Sequence, residues 1–424
     1  MTEPAPSDDA ELRPLSMSKD QLLQSSAEYA PAVPSPIVPS DDLLPEGDVV
    51  VVNDRPRPDT RSPGQRWLDS LRIYPGPGML ESFGWIGAFF VVQIVGALFV
   101  LIGMAVAFGA RNPKQFESLI SDHSDIFLGL TMLITYLVLI PLGILRQRPA
   151  VSLKLNFSAP TLAQFLLALS LVMPLGNLAD LLFQSSEQLL ETLMGAELAA
   201  LREGTDVNNA LAQLKDAPLW VLVLVVAVTP AIGEEFLFRG LIGRGLINRY
   251  GLAFGITVTS ILFACVHLYP PHVIAILPVG FVIHLVYLNT RSYWMPMLFH
   301  FVNNTLAVIS LKYGLVEEAQ EAGVTSESIL FAGIGTAYVA LGLWGLYLIR
   351  TRYFEVGDKS RELTDDNHYA EQSAAAGTAI PILGAEAPPP KLPIERRAPV
   401  AVGIAILATL VLIAQGALLW QTFS

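Results

Sequence analysis

From residue 85 to residue 349 the chain alternates long apolar stretches with short polar breaks, and one more apolar stretch follows near the end. The stretches fall at 85–108, 126–145, 161–183, 218–247, 251–268, 272–289, 293–312, 328–349 and 398–420. At ~1.5 Å rise per residue, about 20 helical residues cross the ~30 Å hydrocarbon core of a bilayer. The pattern therefore predicts an all-α, polytopic transmembrane helix bundle of about nine spans, the sixth and seventh of them short. Residues 1–75 break the pattern. They are acidic and rich in Pro and Ser, with no sustained helical period, and predict a disordered tail. No basic patch followed by an apolar run marks a cleaved signal peptide in that tail.

Composition agrees with the pattern. Of 424 residues, 52% are hydrophobic and 15% charged, against roughly 25% charged in an ordinary globular domain. A disordered protein, a coiled coil and a typical cytosolic enzyme are excluded. The net charge of −12 arises largely in the tail, where residues 1–70 carry 13 acidic and 6 basic side chains, so it points to no nucleic-acid partner. A single cysteine, Cys265, excludes an intrachain disulfide and any cysteine-built metal centre.

Basic residues set the expected orientation. Arg55, Arg57, Arg61, Arg66 and Arg72 precede the first span, and Arg146, Arg148 and Lys154 follow the second. Arg244 and Arg249 end the fourth, Arg291 follows the sixth, and Arg350 and Arg352 follow the eighth. Positive charge on alternate loops predicts a cytoplasmic N-terminus, an external C-terminus and a multi-pass protein of the plasma or inner membrane. The 184–217 loop would then lie outside, amphipathic and against the bilayer. Residues 351–397 read as a cytoplasmic linker to the last span, 398–424, which carries no ionisable residue and is an anchor or packing helix.

Ionisable groups inside spans are costly and usually functional. The fourth span holds Glu234, Glu235 and Arg239, the fifth His267, the sixth His284, and the seventh His300 and Asn304. Glu235 and Arg239 are helical i,i+4 neighbours in the favourable acid-first order and can pair. Glu234 sits about 100° around the helix, lacks that partner, and is the better reactive carboxylate. His300 and Asn304 share a face. Helical rise places Glu234 and His300 at similar depth; if the fourth helix overshoots the membrane, His267 joins them in a cavity open to the cytoplasm. Such a set suits amide hydrolysis, with a carboxylate as base and His and Asn donors for an oxyanion. Two histidines and a carboxylate (Glu234, His267, His300) could equally hold Zn²⁺, although no HExxH is present.

In this order the residues resemble the CAAX-protease and bacteriocin-processing family of intramembrane endopeptidases, which includes type II CAAX prenyl endopeptidases and Abi-type proteins. Glu234–Arg239 (EEFLFR) is similar to the family's EExxxR, Phe263–His267 to its FxxxH, and His300–Asn304 to its HxxxN. The resemblance spans residues 161–312, a catalytic core preceded by spans in 85–160 and followed by one in 313–350. It implies that Glu234 activates water assisted by His267, that His300 and Asn304 form the oxyanion site, and that Glu235 with Arg239 holds the helix geometry. Both metallo- and glutamate-type chemistry stay open. The implied substrate is a membrane-anchored peptide or protein, such as a prenylated CAAX tail or a leader peptide, met in the lipid bilayer; the oligomeric state is not readable.

Blander readings stand beside these. His284 serves equally well as an interhelical hydrogen-bonding group. Phe263 reads as cavity wall, Cys265 as a small buried filler, and His272 as an interfacial group at a span end. His123 and His368 read as solvated, and Trp85, Trp294 and Trp420 as interfacial anchors. A transporter is disfavoured because no internal repeat or broken-helix pair is present. A non-proteolytic scaffold or immunity factor of the same family is the remaining alternative.

Overall fold

A computed structural model describes residues 76–147, 155–195, 197, 215–315, 323–351, 353–355, 358–363 and 398–423. The expected tail (1–75), Arg148 and Lys154, much of the 184–217 loop, His368 and most of 351–397 lie outside the described residues. The described chain forms α1 (Met79–Phe108), α2 (Pro113–Asp122), α3 (Ser124–Gln147), α4 (Leu162–Ser170), α5 (Val172–Met194), α6 (Leu219–Tyr250), α7 (Leu252–Cys265), α8 (Pro270–Thr290), α9 (Trp294–Lys312), α10 (Ser326–Leu348) and α11 (Ala398–Phe423). A small antiparallel hairpin, β1 (Tyr353–Glu355) with β2 (Asp358–Leu363), pairs Tyr353 with Leu363 inside the segment read from sequence as a linker.

The helical class holds. Among the described residues seven apolar rods are long enough to cross a membrane: α1, α3, α4 running on through α5, α6, α8, α10 and α11. The other two expected spans are also helices, but they are not equivalent. α9 has 19 residues, while α7 has only 14, about 21 Å at 1.5 Å per residue and short of a full crossing. The short member is thus the fifth stretch, whereas the sixth, α8, is a full 21-residue span. The third stretch is longer than expected. α5 continues to Met194, past the proposed loop start at 184, because Phe183, Leu190 and Met194 pack against Tyr269 and Ala275. The Tyr269 hydroxyl also donates to Glu187 at 3.0 Å.

Local chemistry sets the helix ends. Asn112 caps α2 by accepting from Gln115 N–H, with Pro113 pre-set at the first helical position. Gly109 closes α1 at φ 71°. Thr161 and Gln164 form a reciprocal capping box at the start of α4, and Thr325 and Ser328 do the same for α10.

The packing follows membrane rules. α5 packs on α8 and α10, α3 on α1, and α9 on the first part of α6. Large apolar side chains such as Phe99, Leu137, Leu341 and Trp420 face outward, where lipid covers them. Polar residues face inward and return their hydroxyls to their own helix, as Thr131, Thr135, Thr259 and Thr290 do to the carbonyl four residues back. α10 approaches α5 so closely at Gly335 that a Cβ there would lie 2.8 Å from the Pro174 carbonyl oxygen.

Buried Gln164 ties two helix ends together. Its Nε2 donates to the Ile349 carbonyl at 2.9 Å and lies 3.2 Å from Thr351 Oγ1, while its Oε1 accepts from Thr161 N–H at 3.0 Å. Gln164→Leu strands the Ile349 carbonyl away from water. We expect a loss of roughly 1–3 kcal/mol of stability, read as a lowered unfolding midpoint of the purified protein; an unchanged midpoint refutes the clamp.

Candidate active site

The site is built on an irregular helix. α6 has π-helical hydrogen bonding over Val223–Val228 and Phe236–Gly243, and the α-helical turn between them, Thr229–Glu235, carries both glutamates. Pro230 accounts for the first irregularity. In a regular α-helix the Val226 carbonyl would accept from the N–H at position 230, which proline lacks. Asn304 of α9 replaces that donor, its Nδ2 reaching the Val226 oxygen at 2.9 Å. Thr229 joins the same repair, its hydroxyl donating to the Leu224 carbonyl at 2.8 Å.

One turn further on, Glu235 and Arg239 are completely buried and paired at 2.9 Å. Arg239 Nη2 also donates to the Gly280 carbonyl of α8 at 3.0 Å, and its guanidinium lies 4.2 Å over the Phe263 ring of α7. The second partner of Glu235 is His300, whose Nδ1 donates to the same carboxylate oxygen at 2.8 Å. With Nδ1 so committed, the His300 Nε2 faces the adjacent carboxylate, 3.9 Å from Glu234 Oε2. Glu235 therefore does more than brace the helix, the role the resemblance implied. It sets the orientation of His300.

Glu234 lacks the Arg239 pairing, as helical spacing implied, but it has a partner on another helix. Tyr136 of α3 donates its hydroxyl toward Glu234 Oε1 at 3.4 Å. Sequence reasoning missed this residue because it lies outside every motif; its faint signal is one buried tyrosine beside buried Thr131 and Thr135 in an otherwise apolar span. Gly233 makes the contact possible, since a Cβ there would lie 2.1 Å from the Tyr136 ring.

His267 lies just beyond α7, in a tight turn where Leu268 adopts φ 61°. The helix end leaves the Phe263 carbonyl without its usual N–H, because His267 N–H bonds Ala264 instead. The His267 ring fills that gap, with Nδ1 3.1 Å from the Phe263 oxygen. A carbonyl only accepts, so Nδ1 carries the hydrogen and Nε2 the lone pair. The rings of His267 and His300 both stand edge-on to Phe263, with centroids 5.6 and 5.9 Å from it. Phe263 is thus a hub holding both histidines and Arg239, more than a plain wall.

The structure brings Glu234, Glu235, Arg239 and His300 into direct contact and reaches His267 through Phe263. Asn304 is spent in part, its amide bonding Val226 and its Oδ1 accepting from Asn303 at 3.2 Å. His284 is buried on α8, and a Cβ on Gly243 would lie 2.8 Å from its Cε1. His272 packs on Phe183 rather than facing an interface, and His123 stacks on Phe108 rather than standing free in solvent. Cys265 is exposed, not the buried filler expected.

The Zn²⁺ candidates Glu234, His267 and His300 do not assemble as a ligand set. Among the described residues no three His, Cys, Asp or Glu side chains converge to hold a metal. The 3.9 Å between His300 Nε2 and Glu234 Oε2 exceeds the ~3.3 Å between tetrahedral ligands each about 2.0 Å from zinc.

Beside the site is a cavity of about 1030 Å³ with almost wholly apolar walls. Ile140 and Ile144 of α3, Ala231, Ile232 and Phe236 of α6, and Leu298 and Phe301 of α9 line it, so it shares the turn that carries the glutamates.

Fold and site together define an integral membrane protein with a carboxylate–histidine cluster among its helices. Residues 216–306, the segment that holds all three motifs, match the family described as type II CAAX prenyl endopeptidase Rce1-like. The Bacillus subtilis (strain 168) protein named "Putative membrane peptidase YdiL" is 28% identical over 108 residues, which cover 26% of this chain and 43% of that protein. The chain therefore matches less than half the length of this relative. No solved structure matches it.

Gly233→Ala should displace the Tyr136 ring and cost about 1–3 kcal/mol of stability, as overpacking does. Tyr136→Ala in the same chain should recover part of that loss. A double-mutant cycle on thermal unfolding reads the coupling; strict additivity of the two substitutions would contradict the contact.

Proposed function

We propose that the chain is an intramembrane endopeptidase that hydrolyses a peptide bond of a membrane-associated protein or peptide. One observation carries this reading. His300 stands between two adjacent carboxylates, anchored to Glu235 through Nδ1 at 2.8 Å and turned to Glu234 through Nε2 at 3.9 Å. A water about 2.8 Å from both Glu234 Oε2 and His300 Nε2 completes a triangle of ordinary hydrogen bonds. Glu234 takes a proton from that water as its oxygen attacks the scissile carbonyl carbon. The oxyanion that forms meets His300 Nε2 when protonated, an imidazolium stabilised by Glu235, and the second amide hydrogen of Asn304. Glu234 then passes its proton to the leaving nitrogen as the C–N bond breaks. His267 offers its Nε2 lone pair as an assisting base, and Tyr136 holds the Glu234 side chain in place. Arg239 pairs with Glu235 in that buried setting.

Two further facts support a hydrophobic substrate. The apolar cavity abuts the glutamate turn and suits an apolar segment or a prenyl group, and the family match names prenyl endopeptidases. Processing of CAAX-type tails or leader-type peptides near the cytoplasmic side fits this chemistry and the distribution of basic residues.

The test is cleavage of a quenched fluorescent library of membrane peptides by the purified protein. Glu234→Gln, His300→Ala and His267→Ala should each lower kcat by about 10²–10⁴-fold, and a zinc chelator should leave the wild-type rate unchanged. Loss of activity on chelation would replace glutamate chemistry with metal chemistry. A folded wild-type protein that cleaves nothing would favour the scaffold reading.

A further inference from the structure

A second cleft opens on the other side of α9. It measures about 400 Å³ and lies among α5, the first half of α8 and the second half of α9. Unlike the apolar cavity it carries polar groups on otherwise apolar walls: Asn177, Asp180 and Gln184 from α5, His272 from α8, and Asn303 and Ser310 from α9. Asn177, Asp180 and Gln184 follow i, i+3, i+7 spacing, so one face of α5 presents all three. None of this belongs to the three motifs.

Asp180 is the informative member. It is exposed on the cleft wall, and among the described residues it makes no hydrogen bond and no ion pair. Gln184 Oε1 is buried there with no hydrogen-bond partner in the structure. A carboxylate inside a membrane span that lacks a cation of its own marks a ligand site or a pathway. A carboxylate without a protein partner among the described residues and a buried amide oxygen without a donor, one helical turn apart, fit a donor-rich cation. The cleft also reaches the catalytic cluster, because Asn303 on its wall donates to Asn304, which braces the glutamate helix at Val226.

We propose that this cleft is a specificity subsite that takes a basic side chain of the substrate, with Asp180 as counter-charge and Gln184 as a second acceptor. The inference rests on the endopeptidase reading and adds a substrate class to it: an apolar segment in the large cavity, the scissile bond at Glu234, and a lysine or arginine in the Asp180 cleft. A low-dielectric site strengthens the attraction between a lone carboxylate and an incoming cation, so the preference falls on charge rather than on length.

The probes are Leu/Ala peptides of about 20 residues, enough to span a bilayer, each carrying one lysine at successive positions, with norleucine twins of equal length. Wild type should cleave the best lysine peptide about tenfold faster in kcat/KM than its twin. Asp180→Asn should bring that ratio close to one, and Asp180→Lys should move the preference to a glutamate peptide. Each comparison is a ratio within one variant, so partial loss of folded protein cancels. Binding of the same fluorescent peptides to Glu234→Gln protein in nanodiscs separates this inference from the activity. Lysine-selective binding abolished by Asp180→Asn supports the subsite even if wild type cleaves nothing. Lysine and norleucine twins that are bound and cut alike by wild type and Asp180→Asn overturn it, whether or not cleavage occurs.

Discussion

The contact on which the core depends is the buried ion pair between Glu235 and Arg239. Neither side chain reaches solvent, and an uncompensated charge in such a place costs several kcal/mol. Three other helices meet the pair, although Glu235 Oε2 and Arg239 Nε are buried without a hydrogen-bond partner among the described residues. α8 supplies the Gly280 carbonyl, α7 the Phe263 face, and α9 the Nδ1 of His300. Removing any of these leaves charge or a donor without compensation, so the packing of four helices meets at one buried carboxylate. The same coupling holds His300 in the single ring orientation that directs Nε2 toward Glu234. Stability of the bundle and geometry of the site are here one constraint.

The irregular path of α6 is the second part of that constraint. A straight α-helix through Pro230 would leave the Val226 carbonyl without a donor inside a membrane span. Asn304 provides the donor from another helix, so the asparagine of the third motif is tied to the proline four residues before the first. This explains why an asparagine and not an aliphatic residue stands one turn after His300. It also limits how Asn304 can take part in chemistry, since one amide hydrogen is already committed.

Much of this was legible in the sequence, but unevenly. Apolar run lengths located the helices because the bilayer imposes a length scale, and i,i+4 spacing gave the Glu235–Arg239 pair because that contact is local. The FxxxH spacing was visible, but its cause was not: it reflects a carbonyl orphaned by a helix ending at Cys265, and run length alone extended that helix to residue 268. Tyr136 was invisible because its contact with Glu234 joins residues 98 apart in sequence. The orientation of His300 toward Glu235 was equally non-local. Cys265 was misjudged for a related reason: in an all-apolar helix, sequence does not say which face meets lipid. The continuation of α5 to Met194 depended on Tyr269, a partner no periodicity reveals.

Hydrolysis within a lipid-covered bundle needs two incompatible environments side by side, one for an apolar substrate and one for water and ions. α9 supplies both along its length. Its first half, with Trp294, Leu298 and Phe301, walls the apolar cavity, and its second half brings Asn303 and Ser310 to the cleft that holds Asp180. His300 sits at the change between them, beside the glutamate turn of α6. A group placed deeper in the apolar half would be too desolvated to hold a charged carboxylate, and one placed farther into the polar half would compete with bulk water for its hydrogen bonds. The boundary is where Glu234 is shielded from lipid and still within reach of polar groups, which is the condition the proposed general base has to meet.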